Sequence, residues 1–140
     1  MKKITQEKLT SSTEWIRDSK KFVGDNNYNM PTKNWIKLEF SPFFMGVLKN
    51  LNLPYTSKFD CDDYSSLYRV LAQISHRKSS GDAEGIAVAE IMYKPNWAKG
   101  LTHAINAAYT ETGWIFIEPQ GGQVIQLTEE EINSIYYVRL

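Results

Sequence analysis

The sequence has one cysteine and two histidines in 140 residues, and it has no net charge, because 16 acidic side chains balance 16 basic ones. A lone cysteine excludes an internal disulfide, so Cys61 is a buried small hydrophobe, an exposed thiol or a reactive group. Without an excess of either sign, the chain has no long-range field with which to hold nucleic acid or an anionic membrane. No apolar stretch approaches the roughly 20 residues of a membrane span, and no signal-peptide run follows the two lysines in MKKITQEKLTSST. A cytoplasmic protein with no nucleic-acid and no membrane partner is therefore expected. Internal repeats and low-complexity tracts are missing as well.

Apolar residues make up 42% of the chain and aromatics 13%, enough to fill one core without help from metals or disulfides. The expectation is a single domain over residues 1–140, with an N-terminal helix and loop (1–34) ahead of a core (35–140). Thr10 to Phe22 carries a Ser/Thr cluster, then Trp15, Ile16 and Phe22 at roughly helical spacing, which predicts a first helix. GDNNYNMPTKN, from Gly24 to Asn34, is rich in turn formers and predicts a loop. SPFFMGVLKNLNLPY, from Ser41, has a hydroxyl cap, a proline at the first helical position and an apolar stripe, and predicts a second helix ending before Pro54. A third helix begins at or beside Cys61, where Leu67, Val70, Leu71 and Ile74 form the stripe and Ser79 to Asp82 supplies the stop.

Beyond Gly85 the period changes. IAVAEIMYK, LTHAINAAY, GWIFIE, QVIQL and SIYYVRL are short, rich in β-branched or aromatic residues and separated by turn formers, so five strands are predicted. TEEEIN adds one helical turn with Thr128 as cap and Glu131 as its partner. Helices followed by strands predict an α+β fold, with N-terminal helices packed on a C-terminal antiparallel β-sheet whose consecutive strands pair.

Three residues carry the candidate chemistry. Cys61, in FDCDDYSS, sits at a predicted helix N-terminus, where free amides and the helix dipole favour a thiolate. Asp60, Asp62 and Asp63 oppose that charge, so a positive partner is required nearby. His76, in SHRKSS, fits a structural role at the end of the third helix. His103, in LTHAINAAY, lies on a predicted strand, where a satisfied core histidine is the alternative to a base. Glu118 closes the apolar strand GWIFIE before Pro119. If a hairpin through Thr110–Gly113 sets Tyr109 opposite Trp114, Glu118 falls on the face of His103, one diagonal step away. A nucleophile, a base and an orienting acid in that order describe acyl transfer through a thioester on a peptide or amide substrate.

At FDCDDYS, THAIN and IEPQGG the chain resembles the papain-like cysteine-protease domain at the C-terminus of certain fungal lectins of the mushroom agglutinin type, and related bacterial and phage domains. The likeness covers Trp35 to Leu140, but no sugar-binding repeat precedes it. The resemblance implies a papain-like or transglutaminase-like fold, a cysteine-nucleophile peptide or amide hydrolase or acyl transferase, and a Cys61–His103–Glu118 triad. It also implies dependence on calcium near the triad, with Asp62 and Asp63 matching the motif's acids. Asn106, Glu118 and Gln120 could complete an oxygen ligand set if the hairpin lies beside the helix. Two acids in a first turn can equally serve the helix dipole alone. The competing reading is a catalytically silent binding or structural module, such as a phage or host-interaction protein.

Overall fold

In the computed structural model, which describes Met1–Leu140, the change of period after Gly85 is the change from helices to sheet. The elements run β1 (Lys3–Thr5), α1 (Gln6–Thr10), α2 (Glu14–Asp18), β2 (Lys20–Phe22), β3 (Asn27–Asn29), a π-helical turn (Trp35–Phe40), α3 (Ser41–Leu51) and α4 (Cys61–Ser80). Then follow β4 (Gly85–Ile86), β5 (Val88–Tyr93), β6 (His103–Thr110), β7 (Gly113–Glu118), β8 (Gln123–Ile125), α5 (Glu129–Asn133) and β9 (Tyr137–Arg139). The fold is α+β, as expected.

Local chemistry sets the ends of the functional helix. Asp60 precedes α4 in an extended conformation, and its N–H donates to the Asp63 carboxylate at 3.1 Å. Gly81 ends α4 at φ 66°, a left-handed conformation that a side chain would strain. Thr128 and Glu131 cap α5 reciprocally, each accepting from the other's amide at 3.1 Å, as the sequence predicts.

A six-stranded sheet has the order β2-β9-β5-β6-β7-β8, and a smaller one the order β1-β3-β4. Helices α3 and α4 cover one face of the large sheet, where Phe40, Phe44, Tyr68, Val88 and Ile117 are buried together. Leu9, Trp15, Ile16, Ile91, Ile105 and Val138 form a second core. Burial on both sides explains why β5 and β6 read as near-continuous apolar runs rather than alternating ones. Each fully buried Ile or Phe contributes roughly 1.5–3 kcal/mol, so these two layers dominate stability.

The N-terminal third departs from the sequence expectation. The helix expected from Thr10 to Phe22 is realised only as α2, because α1 ends at Thr10, where the Ser11 and Ser12 hydroxyls turn back onto the Glu7 and Leu9 carbonyls, each at 2.7 Å. Its last three residues, Lys20–Phe22, are strand β2, paired in parallel with β9. The expected loop from Gly24 to Asn34 contains β3, which pairs with β1 and β4. Pairing of consecutive strands holds from β5 to β8. It fails at β9, which returns past α5 to lie between β2 and β5.

Candidate functional site

The predicted register is the observed one: Tyr109 faces Trp114 and Asn106 faces Ile117. Glu118 consequently reaches His103, and His103 Nε2 lies 2.7 Å from Glu118 Oε2. His103 is only 8% exposed, so little water competes for this bond. The other carboxylate oxygen, Oε1, accepts the Gln120 amide at 3.1 Å. That amide is aimed by the tight turn after Pro119, where Gly122 takes φ 72° and a Cβ would press on Met45 at 3.0 Å. With a carboxylate on Nε2, the neutral imidazole keeps its proton there and presents Nδ1 as an acceptor.

Helix α4 lies across β6. The Ser65 hydroxyl donates to the Ile105 carbonyl at 2.8 Å, and Asn106 Nδ2 donates to the Ser65 carbonyl at 2.9 Å. One turn before Ser65, Cys61 is half-buried, and the Ala104 amide, next after His103 on the strand, favours its thiolate. Thiol, imidazole and carboxylate thus come from α4, β6 and the end of β7.

Two aromatic rings flank the imidazole edge-on: Trp97 at 5.3 Å and Tyr93 at 5.9 Å between centroids. Trp97 is 72% exposed, leaving its indole available to a ligand. Burial pushes the Tyr93 hydroxyl up to about 12, so it remains neutral at physiological pH. Sequence reasoning missed both residues, and also the Ala104 amide. Their only signal was the aromatic pair flanking KPN ahead of THAIN.

The charge on the thiol differs from expectation. A helix N-terminus predicted a lowered pKa, whereas burial pushes the Cys61 thiol up. The Ala104 and Asp62 amides pull it back, but Asp60 and Asp62 add to the rise. Desolvation and two carboxylates outweigh the amides at this helix start.

The four residues expected to hold calcium with Glu118 do not gather. Asp63 is turned to the Asp60 amide at the helix start. Asn106 is fully buried beneath α4, its amide nitrogen donating to the Ser65 and Ala89 carbonyls at 2.9 and 3.1 Å. Gln120 serves Glu118 through its main chain. The donor atoms that do cluster, within 4.8 Å of one another, belong to Asp60, Cys61 and Asp62. A hydrogen bond donated to Asp60 by the protonated form, with partial desolvation, raises the Asp62 carboxyl above the usual range. Two carboxylates and a sulfur are fewer than the roughly six to eight oxygens that calcium takes, so main-chain or water oxygens would have to supply the rest.

Solved structures share this fold. Polyporus squamosus lectin, bound to the human-type influenza-binding epitope Neu5Acα2-6Galβ1-4GlcNAc, superposes with a TM-score of 0.73 at 17% identity, over 99% of this chain and 49% of that chain. A complex of PSL1a with E64 gives a TM-score of 0.74, also at 17% identity, over 99% of this chain and 51% of that one. The chain therefore spans about half the length of these structures. No protein-family model and no curated protein matches.

At this identity the likeness is one of fold. It corrects one expectation from sequence. The placement among hydrolases and thiol proteases is overturned, because the similar structure that is named by class is a lectin bound to a carbohydrate epitope. No helix here is long and apolar enough to cross a membrane.

Proposed function

We propose that this domain transfers acyl groups through a thioester on Cys61, with His103 as base and Glu118 as the group that orients it. The observation that carries the reading is the 2.7 Å bond from His103 Nε2 to Glu118 Oε2, next to the strand residue Ala104, whose amide favours the Cys61 thiolate. In the proposed step the Cys61 thiol proton passes to His103 Nδ1 as sulfur attacks the carbonyl carbon of a peptide or amide. The carbon–nitrogen bond then breaks, and His103 returns the proton to the leaving amine. An incoming nucleophile gives its proton to His103 and takes the acyl group, restoring the thiol. The Cys61 main-chain amide, at the first helical position where no intrahelical acceptor exists, is available to the oxyanion.

A raised thiol pKa makes His103 more important, because few thiolates exist before the proton is taken. The same observation favours a second reading, a binding module without turnover. Exposed Trp97 and the carbohydrate bound by the lectin neighbour also support it. Incubation with iodoacetamide or E64 followed by intact-mass measurement separates the two. Acyl transfer requires a covalent adduct on Cys61 that disappears in Cys61→Ala and forms much more slowly in His103→Ala. Equal labelling of wild type and His103→Ala would leave the binding module as the better account.

A further inference from the structure

On the sheet edge away from β8, a cavity of about 500 Å³ opens between β2, β9 and α4, lined by Phe22, Tyr137, Arg69, Arg139 and Leu140. Its side chains include two guanidiniums and no acid. The pairing of the strands explains how the arginines come together. Phe22 sits opposite Arg139, and Arg139 opposite Glu90, so the three share one face in a row. Arg69 comes down from α4 onto the same row, its Nε 3.7 Å from Glu90 Oε2.

One buried carboxylate therefore lies on a row with two cations, and its one ion pair there, to Arg69, is long. Glu90 Oε2 also accepts the Ser66 hydroxyl at 3.0 Å, and the buried Arg69 Nε has no hydrogen-bond partner. Burial and the like charge of Arg139 push Arg69 below its ordinary range, the direction expected where positive charge is undercompensated. The acids on the other side of Arg69, Asp25 and Glu84, line a neighbouring cavity that Arg69 and Leu140 also border, and Glu84 is paired with Lys3 at 2.7 Å. A third cation, Lys20, lies 5.7 Å from the centroid of the Phe22 ring.

The apolar part of the cavity is equally specific. Phe22 and Tyr137 rings stand 6.0 Å apart at 50°, and Phe22 is 52% exposed despite its size. Two guanidiniums match the planar fork of an oxyanion, and the two rings offer faces to whatever carries it. We propose that this cavity binds a small oxyanion, a carboxylate or a phosphate, borne on an apolar or aromatic body. The site is separate from Cys61, so the proposal stands whether or not the acyl-transfer reading holds.

Calorimetric titration of the full chain with benzoate, phenyl phosphate, inorganic phosphate and neutral benzyl alcohol tests it. Benzoate or phenyl phosphate should bind saturably and at least about tenfold more tightly than benzyl alcohol, because a charge-assisted pair is the larger part of the recognition. Whichever of the two binds better names the source of the oxyanion, and inorganic phosphate should be weaker for want of a body. Arg139→Gln and Phe22→Ser, both at exposed positions, should each weaken binding about tenfold, and Cys61→Ala should leave it unchanged. Absence of saturable binding by any of these anions would overturn the proposal, as would unaltered affinity in Arg139→Gln. Binding that appears only after glycines are added beyond Leu140 would also overturn it, since a main-chain carboxylate there would be what neutralises the arginines.

Discussion

Asn106→Ala is expected to destabilise the domain by about 2 kcal/mol, equally with and without calcium. The side chain is fully buried and ties three elements together, donating to Ser65 on α4 and to Ala89 on β5 from its own strand β6. Each lost bond costs roughly 1 kcal/mol, and the space left beneath the helix adds to that loss. Part of the loss is offset, because Asn106 Oδ1 is itself buried without a partner and alanine removes it. The balance near 2 kcal/mol is a large fraction of the roughly 5–15 kcal/mol available to a domain, and corresponds to a melting temperature lower by about 4–10 °C. Ser65→Ala, which loses the single 2.8 Å bond to Ile105, should cost about half as much. Urea denaturation of both variants, in calcium and in chelator, is the assay. A change below about 0.5 kcal/mol would refute the claim that this side chain fastens α4 to the sheet. A loss confined to calcium buffer would instead restore Asn106 as a metal ligand.

The alkylation rate of Cys61 followed against pH should inflect above the ordinary thiol range, and Asp62→Asn should move the inflection down, since burial and the adjacent carboxylates raise this thiol. An inflection below that range would mean that the helix start dominates after all. Glu118→Gln should keep the fold but slow Cys61 labelling about 10- to 100-fold, the equivalent of a charge-assisted hydrogen bond of roughly 1.5–3 kcal/mol, with His103→Ala slower still. Unchanged labelling in Glu118→Gln would remove the carboxylate from the site. Burial lowers the pKa of His76, whose Nε2 meets Asn29 Nδ2 at 3.1 Å while Nδ1 has no partner. The folded state thus resists protonation more than the unfolded chain, so stability is complete above the ordinary histidine value of roughly 6.5 and falls as pH drops below it. Denaturation midpoints from pH 7 to 5 should show this fall, and His76→Gln should reduce it; an equal slope in the variant would assign the pH dependence to other groups.

Much of the domain was legible without coordinates because its signals are local. The α4 boundaries follow from Asp60 and Gly81, the α5 cap from Thr128 and Glu131, and the change of period after Gly85 from backbone geometry alone. The hairpin register was legible too, since turn length and alternation together place Glu118 on the face of His103. Strands β2 and β3 were not, because three-residue segments such as KKF and NYN are strands only through partners distant in sequence, more than 20 residues away for β3 and more than 110 for β2. The same limit hid the state of Cys61. Its sequence neighbourhood describes a helix start, but its desolvation and the Ala104 amide come from β6, and the two effects oppose each other. Asn106 and Asp62 stand 44 positions apart in the chain, where sequence allowed one metal site to hold both; packing put Asn106 in the core and left Asp62 exposed. Burial, and the long-range pairing that produces it, is a property of the assembled layers, and only the tertiary structure decided it.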